Sequence, residues 1–265
     1  MSATFMPVTE DRQPAKWLEM FAERGYLLFS NCLQGTEIHR YRSWLEQAIE
    51  AEAHWRGQRQ GHDAYQCVFL PYHHQGFFEL LRHELLSQII NLLLGAQCTL
   101  YSFSNSSMPS GAGNFSSRIH VDRHYFTGSW LEGVGVLLAL DDFCEANGAS
   151  WWLAGSHTHA EAPMAEHFYA SAQRLCVPAG SLLIFHPRLW HAGGINQTTT
   201  PRHAVTMAFC KPHIKPRLNF LALMQGRLPE DPQVLQRLGM YAQPPESLEQ
   251  FYSAKPTHSQ DLRNC

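Results

Sequence analysis

Two histidines and an aspartate have the residue types and spacing of a non-haem iron site. His120 and Asp122 are separated by one residue, and His191 follows later in the chain. Oxygenases that keep coordination positions open bind Fe(II) through two imidazoles and one carboxylate. Arg202 lies eleven residues after His191, and its guanidinium offers a bidentate fork to a carboxylate. The four residues predict an iron-dependent oxygenase with a dicarboxylate cosubstrate, 2-oxoglutarate.

These residues need strands to position them. In an extended strand, residues i and i+2 point to the same face, so a strand end could direct His120 and Asp122 at one ion. His191 follows the apolar run Leu182–Phe185. We therefore expect the mouth of a β-barrel to bring His191 beside the first two ligands.

The first third of the chain has helical periodicity. Apolar residues recur at helical spacing, and glycines stand where two of the helices should end. The pattern predicts helices over residues 16–23, 36–52 and 79–94, with a short strand at Tyr26–Phe29.

From residue 97 the period changes to that of short strands separated by turn residues. The predicted strands are residues 98–103, 115–121, 134–140, 150–153, 174–177, 181–185 and Ala204–Cys210. Strands of this number and spacing favour a β-sandwich or a jelly-roll barrel. A chain of 265 residues can form one such domain. We expect a single domain over 1–265, with a mainly helical flank (1–96), a jelly-roll core (97–211) and a C-terminal extension (212–265).

Composition argues against several classes of partner. The net charge is −3, and lysines and arginines do not cluster, so we expect no nucleic-acid binding. No stretch approaches the roughly 20 apolar residues of a membrane span, and the N-terminus lacks the apolar run of a signal peptide. The seven cysteines are scattered and odd in number, which fits a reducing compartment. We expect a cytoplasmic protein that acts on a small molecule; the oligomeric state is not predicted.

The motifs around the candidate ligands resemble those of the phytanoyl-CoA dioxygenase family. In that family an Asn-Gly turn and a Gly-Ser-His turn lie between the two halves of the metal triad, and an Asn precedes the 2-oxoglutarate arginine. The matching residues are Asn147-Gly148, Gly155-Ser156-His157 and Asn196. The opening helix, strand and helix are also similar, so the resemblance covers about residues 17–211.

This resemblance implies a fold, a set of cofactors and a reaction. The fold is of the α+β or mainly β class, with a double-stranded β-helix (jelly-roll, cupin-like) core and N-terminal flanking helices. Fe(II) would be held by His120, Asp122 and His191, with 2-oxoglutarate on the iron and its distal carboxylate on Arg202. O₂ would complete the reaction, with release of succinate and CO₂. Related halogenases have Ala or Gly in place of Asp122, which leaves room for a halide. The carboxylate of Asp122 therefore favours hydroxylation over halogenation.

Two positions depart from the family pattern. Ala154 replaces a proline before the Gly-Ser-His turn. Gly193 stands where relatives commonly have a serine that helps to hold 2-oxoglutarate. Another hydroxyl should then assist Arg202, and Thr206 and Ser104 are the candidates.

Three further residues are candidates for the substrate pocket. His124 extends the His120 motif, but His191 and Arg202 would be unexplained if all ligands came from one strand, so we expect it to line the pocket. Trp130 and Trp152 are pocket candidates, with core packing as the alternative. Residues 54–78, the loop 104–118 and the segment after 212 are expected to shape the pocket.

Two other functions remain open from the sequence. One is a cupin-type metal oxygenase that uses no 2-oxoglutarate. The other is a catalytically silent jelly-roll binding protein in which the ligand set is coincidental. Substrate identity, and hydroxylation against desaturation or ring closure, are not predicted.

Overall fold

The computed structural model of the protein describes residues 13–56 and 65–253. Helices dominate the first third of the chain, as predicted, and further helices lie among and after the strands. They are α1 (Pro14–Arg24), α2 (Gly35–Arg56), α3 (Leu70–His73), α4 (Phe78–Leu81), α5 (Glu84–Leu94), α6 (Ala165–Ser171), α7 (Phe220–Leu223), α8 (Pro232–Arg237) and α9 (Leu248–Ser253). Within the described residues, every helix is too short or too polar to cross a bilayer.

The strands form two antiparallel sheets. They are β1 (Tyr26–Phe29), β2 (Thr99–Asn105), β3 (Gly133–Ala139), β4 (Trp151–Trp152), β5 (Gln173–Arg174), β6 (Leu182–Phe185), β7 (His191–Ala192) and β8 (Ala204–Cys210). The larger sheet has the order β1-β6-β3-β8-β2, and the smaller one has the order β5-β4-β7. The antiparallel core with flanking helices confirms the coarser part of the predicted fold class.

The larger sheet is buried on both faces. Strand β3 shows this directly, since all seven of its residues are buried. Val136 belongs to a cluster shared with the helices, whereas its neighbour Leu137 belongs to a cluster shared with the smaller sheet. Because adjacent strand residues point to opposite faces, the helices cover one face and the smaller sheet covers the other.

The segment before the candidate ligands is not the strand predicted over 115–121. Phe115–Ser117 forms a 3₁₀ turn instead. The Asn114 side chain accepts a hydrogen bond from the backbone N–H of Ser116 at 2.9 Å, which competes with strand pairing. His120 alone keeps a β-bridge, to His191.

The helix predicted over 79–94 is also wrong as a single element, because α4 ends at Leu81 and α5 begins at Glu84. The His83 ring nitrogen accepts the backbone N–H of Leu86 at 3.4 Å and caps α5.

Several predictions lie partly outside the described residues. These are the absence of a signal peptide in residues 1–12, the pocket segment 54–78 at its residues 57–64, and the C-terminal extension at residues 254–265. The division of the chain into one domain over 1–265 stays a prediction.

Candidate metal centre

The two candidate histidines are backbone neighbours. His120 donates its N–H to His191 O at 2.9 Å, and His191 donates its N–H to His120 O at 3.0 Å. Their ring centroids lie 4.1 Å apart. Asp122 Oδ1 is 3.8 Å from Nε2 of each histidine, and the three ligand atoms lie within 4.8 Å of one another. The structure therefore brings the three predicted ligands together.

Each imidazole is oriented by a backbone carbonyl. Nδ1 of His120 lies 2.8 Å from Arg118 O, and Nδ1 of His191 lies 2.8 Å from Leu189 O. A carbonyl only accepts, so both Nδ1 atoms must donate their protons. The Nε2 lone pairs are then free to bind a metal, which is the usual arrangement behind a ligating histidine.

His191 lies in an apolar setting. The Trp152 ring stacks on it with centroids 4.4 Å apart and planes 6° from parallel. Phe185 contacts it edge-on at 5.7 Å. Burial lowers the pKa of His191 to about 4, and the neighbouring His120 adds to this, although Asp122 opposes it. The imidazole is thus neutral at pH 7, as metal binding requires.

Asp122 is the open side of this cluster. Its side chain is 48% exposed and borders a cavity of about 490 Å³ that also reaches His120 and His191. A metal bound by the three residues would have one protein-covered face and one face towards the cavity.

Arg202 is 1% exposed and lacks partners for most of its guanidinium. Nη2 donates to Gly148 O at 3.1 Å, and the guanidinium carbon lies 3.9 Å from the centroid of the Phe143 ring. Among the described residues, Nε and Nη1 are buried without a hydrogen-bond partner. Burial lowers the pKa of Arg202 to about 10, opposed by the charge of Asp141, so it remains a cation. A buried cation with idle donors fits a carboxylate ligand.

Arg202 is not among the residues found to line the cavity, and Met108 links it to the segment that follows His191. Arg202 and Met108 exchange both backbone hydrogen bonds, at 2.7 and 2.9 Å. The methyl group of Met108 lies 3.0 Å from where a Cβ on Gly193 would be. Asn196 closes the turn before Arg202, since its amide donates to the carbonyl oxygens of Thr200 and Met108.

Three hydroxyls could assist Arg202. The predicted candidates Ser104 and Thr206 line the cavity and lie 3.0 Å from each other, oxygen to oxygen. The third, Ser116, was missed by sequence reasoning. Its Oγ lies 2.7 Å from the position that a Cβ on Gly193 would take. No sequence signal joins Ser116 to Gly193, because an irregular turn places it there.

The other pocket candidates differ in position. His124 and Trp152 line the cavity. Trp130 is 55% exposed, is not among the residues found to line the cavity, and has the Lys211 ammonium 5.6 Å from its ring centroid.

Arg188 is a second residue that sequence reasoning missed. It is 3% exposed, and its guanidinium donates to carbonyl oxygens of His124 at 3.0 Å, His159 at 2.8 Å and Ala160 at 2.9 Å. It thereby ties the loop after Asp122 to the chain just before His191.

The sequence of this chain is similar to a known protein family and to known relatives. The model of the phytanoyl-CoA dioxygenase (PhyH) family matches residues 21–204, a range that includes the metal cluster and Arg202. Protein Rv1501 of Mycobacterium tuberculosis is 26% identical over 183 residues, which cover 66% of this chain and 67% of that protein.

Two solved structures share the fold. The non-haem monooxygenase ThoJ in its apo form has a TM-score of 0.62 at 23% identity, over 76% of this chain and 79% of that one. The non-haem α-ketoglutarate-dependent carbocyclase SnoK from nogalamycin biosynthesis has a TM-score of 0.61 at 22% identity, over 78% of this chain and 88% of that one.

Proposed function

Because this chain belongs to the phytanoyl-CoA dioxygenase family, we propose that it is a non-haem Fe(II)- and 2-oxoglutarate-dependent oxygenase. The observation that carries this proposal is the convergence of His120 Nε2, His191 Nε2 and the Asp122 carboxylate within 4.8 Å. Two neutral imidazoles and one carboxylate suit Fe(II) and leave positions for other ligands.

Arg202 would bind the distal carboxylate of 2-oxoglutarate. Its two idle, buried nitrogen atoms are the feature that supports this role, since a buried guanidinium without an anion is costly. Ser116, Thr206 and Ser104 are the hydroxyls we assign to the same cosubstrate. In relatives a serine at the position of Gly193 supplies a hydroxyl. We assign that role here to Ser116, because its hydroxyl oxygen lies against Gly193.

We further propose that the two sheets are the halves of a double-stranded β-helix and that the chain is one domain. Buried residues from both sheets form one cluster between them, and the cavity with the candidate ligands opens beside that cluster. No disulfide links the described cysteines, which suits the cytoplasmic location that we propose.

The reaction we propose is hydroxylation of an unactivated C–H bond in a small molecule. When bound, iron and 2-oxoglutarate supply the oxidising chemistry, at the cost of O₂ and with release of succinate and CO₂. The protein binds and orients: Arg118 O and Leu189 O fix the imidazoles, and Trp152 shields His191 from water. His124 and Trp152 would contact the substrate within the cavity, and Trp130 would contact it outside.

The carboxylate of Asp122 supports hydroxylation over halogenation, because it takes the position that a halide would need. SnoK is described as a carbocyclase, so ring closure is the alternative outcome for the same cofactors. The two reactions differ in how the substrate is placed, and product analysis separates them.

Succinate formation tests the proposal. We expect it to require Fe(II), O₂ and 2-oxoglutarate together, and to vanish in Asp122→Ala. Glu166→Ala, which removes an exposed carboxylate on α6, is the matched control and should retain the activity. Turnover that persists in Asp122→Ala would contradict the assignment.

The two alternatives give different results. A cupin-type oxygenase without 2-oxoglutarate would consume O₂ with substrate alone and would be indifferent to Arg202→Ala. A silent binding protein would take up no Fe(II), and His191→Ala would then change metal content no more than the exposed-site control His167→Ala.

A further inference from the structure

The mouth of the cavity has an excess of positive charge that the cofactors do not use. Arg123 and Arg217 both line the cavity, and Asp122 is the one acidic residue found among its described lining residues. In the proposed function, on which this inference rests, Asp122 is a metal ligand. The charges of Fe(II), Asp122, Arg202 and the 2-oxoglutarate dianion cancel, so the two arginines remain to be balanced.

The two arginines both contact Tyr101. The guanidinium carbon of Arg123 lies 5.5 Å from the centroid of the Tyr101 ring, and Arg217 donates its backbone N–H to Tyr101 O at 3.0 Å. Both arginines are thereby tied to the same residue, Arg123 through its side chain and Arg217 through its backbone.

One carboxylate offsets part of the charge of the pair. Glu132 Oε2 is 3.9 Å from Arg123 Nε, which is too long for a hydrogen bond. In the described part of the chain, no acidic group forms an ion pair with Arg217. The site therefore has unused N–H donors and a net charge near +1.

The surrounding wall is aromatic. Tyr101, Phe115 and Tyr125 line the cavity, and the last two are 45% and 75% exposed. We propose that Arg123 and Arg217 form a carboxylate subsite and that the substrate is an organic monocarboxylate with an aromatic or similarly apolar body. Its carboxylate binds at the mouth while the body extends along the wall towards the metal.

A matched pair of probes tests this subsite. Binding of 3-phenylpropanoate and of 3-phenylpropanamide is measured by calorimetry, without oxygen, on protein loaded with Fe(II) and saturating 2-oxoglutarate so that Arg202 is occupied. We expect the carboxylate to bind about tenfold more tightly than the amide, as one charge-assisted hydrogen-bonded contact allows.

Variants identify the residues responsible. Arg123→Gln and Arg217→Gln should each remove most of the preference for the carboxylate. Arg217→Glu should instead favour 3-phenylpropylamine over the carboxylate, a gain that damage to the fold would not produce. The control is Arg227→Gln, because Arg227 also lies over a tyrosine, Tyr72, at 4.4 Å but is not among the residues found to line the cavity; it should keep the wild-type preference.

The outcomes separate the two proposals. If the wild-type protein binds no 2-oxoglutarate, the proposed function is overturned, and this inference with it. If it binds 2-oxoglutarate but binds the two probes equally, or binds neither, the carboxylate subsite alone is overturned. An unchanged preference in both glutamine variants would likewise overturn the assignment to Arg123 and Arg217.

Discussion

His120 and His191 are held opposite each other by a pair of backbone hydrogen bonds, at 2.9 and 3.0 Å. The separation of their imidazoles is therefore set by the backbone and needs no metal to maintain it. Asp122 has no such anchor, since it lies two residues beyond His120 in a loop. The position of the carboxylate depends on how that loop is tied down.

Arg188 holds this loop in place, and substitution of Arg188 tests that role. Arg188→Met removes three hydrogen bonds, to the carbonyl oxygens of His124, His159 and Ala160. We expect a loss of about 3 kcal/mol in the free energy of unfolding, because each of the three hydrogen bonds from a charged donor contributes about 1.5–3 kcal/mol and the methionine avoids the cost of burying a charge. We also expect weaker Fe(II) binding, since Asp122 is less well positioned. Chemical denaturation and metal titration measure the two effects.

The control for that variant is Arg82→Met. Arg82 forms an exposed ion pair with Asp231 at 3.3 Å, and such pairs contribute about 0–1 kcal/mol. Equal effects of the two substitutions on metal affinity would show that Arg188 has no particular role at the site.

Arg202 should lower the stability of the protein when no cosubstrate is bound. Arg202→Met replaces an unpaired buried cation with an apolar side chain of similar length, so the metal-loaded variant without 2-oxoglutarate should be at least as stable as the wild type. Adding 2-oxoglutarate at about 100 times its Kd should stabilise the wild type by about 2.7 kcal/mol and the variant much less. Thermal unfolding with and without 2-oxoglutarate measures both.

Arg174→Met is the matched control for Arg202. Arg174 also lies on an aromatic ring, with its guanidinium carbon 4.1 Å from the centroid of Trp151, and it donates to Ala149 O at 2.6 Å. This variant should retain the stabilisation by 2-oxoglutarate. A full response in Arg202→Met would refute the role of Arg202.

Stability should fall as the pH drops below the ordinary histidine pKa. Burial lowers the pKa of His186 to about 3, helped by His157 and Arg188, and that of His191 to about 4. Between pH 6.5 and these values the unfolded chain binds protons that the folded protein does not, so acid favours unfolding. For each histidine, the free energy of unfolding falls by up to about 1.4 kcal/mol for each unit that the pH is lowered in that window.

His186→Asn separates one of these contributions. Asparagine can still accept the backbone N–H of Arg188, which His186 Nδ1 accepts at 3.0 Å. The free energy of unfolding of the metal-free protein, measured in urea from pH 7.5 to 5, should fall less for the variant than for the wild type. Parallel curves for the variant and the wild type would mean that His186 titrates normally.

The sequence predicted the regular parts of this molecule better than the irregular ones. Strands Tyr26–Phe29 and Ala204–Cys210 were predicted with the bounds that the structure has, because both are short apolar runs between turn residues. The strand predicted over 115–121 was wrong, because Asn114 caps a 3₁₀ turn there. A side chain that competes with the backbone for hydrogen bonds leaves no periodic signal.

The same limit applies to the site. His120, Asp122, His191 and Arg202 could be predicted from residue type and order. Ser116 and Arg188 could not, since the first depends on an irregular turn and the second binds carbonyl groups, which any residue supplies. Contacts made through the backbone are independent of the partner's side chain, and so a sequence pattern does not record them.

Gly193 offers the most direct test of the relation between this chain and its family. A Cβ at this position would lie 2.7 Å from Ser116 Oγ and 3.0 Å from the Met108 methyl, so Gly193→Ser restores the common family residue but crowds the site. We expect a loss of about 1–3 kcal/mol in stability, as for other overpacked sites, and a higher KM for 2-oxoglutarate.

Ser116→Gly alone should also raise this KM, because it removes the hydroxyl assigned to the cosubstrate. The double variant, which moves the hydroxyl from residue 116 to residue 193, should recover both stability and KM. Denaturation and succinate assays on the four proteins complete the cycle, and additive effects would show that the two positions do not share one role.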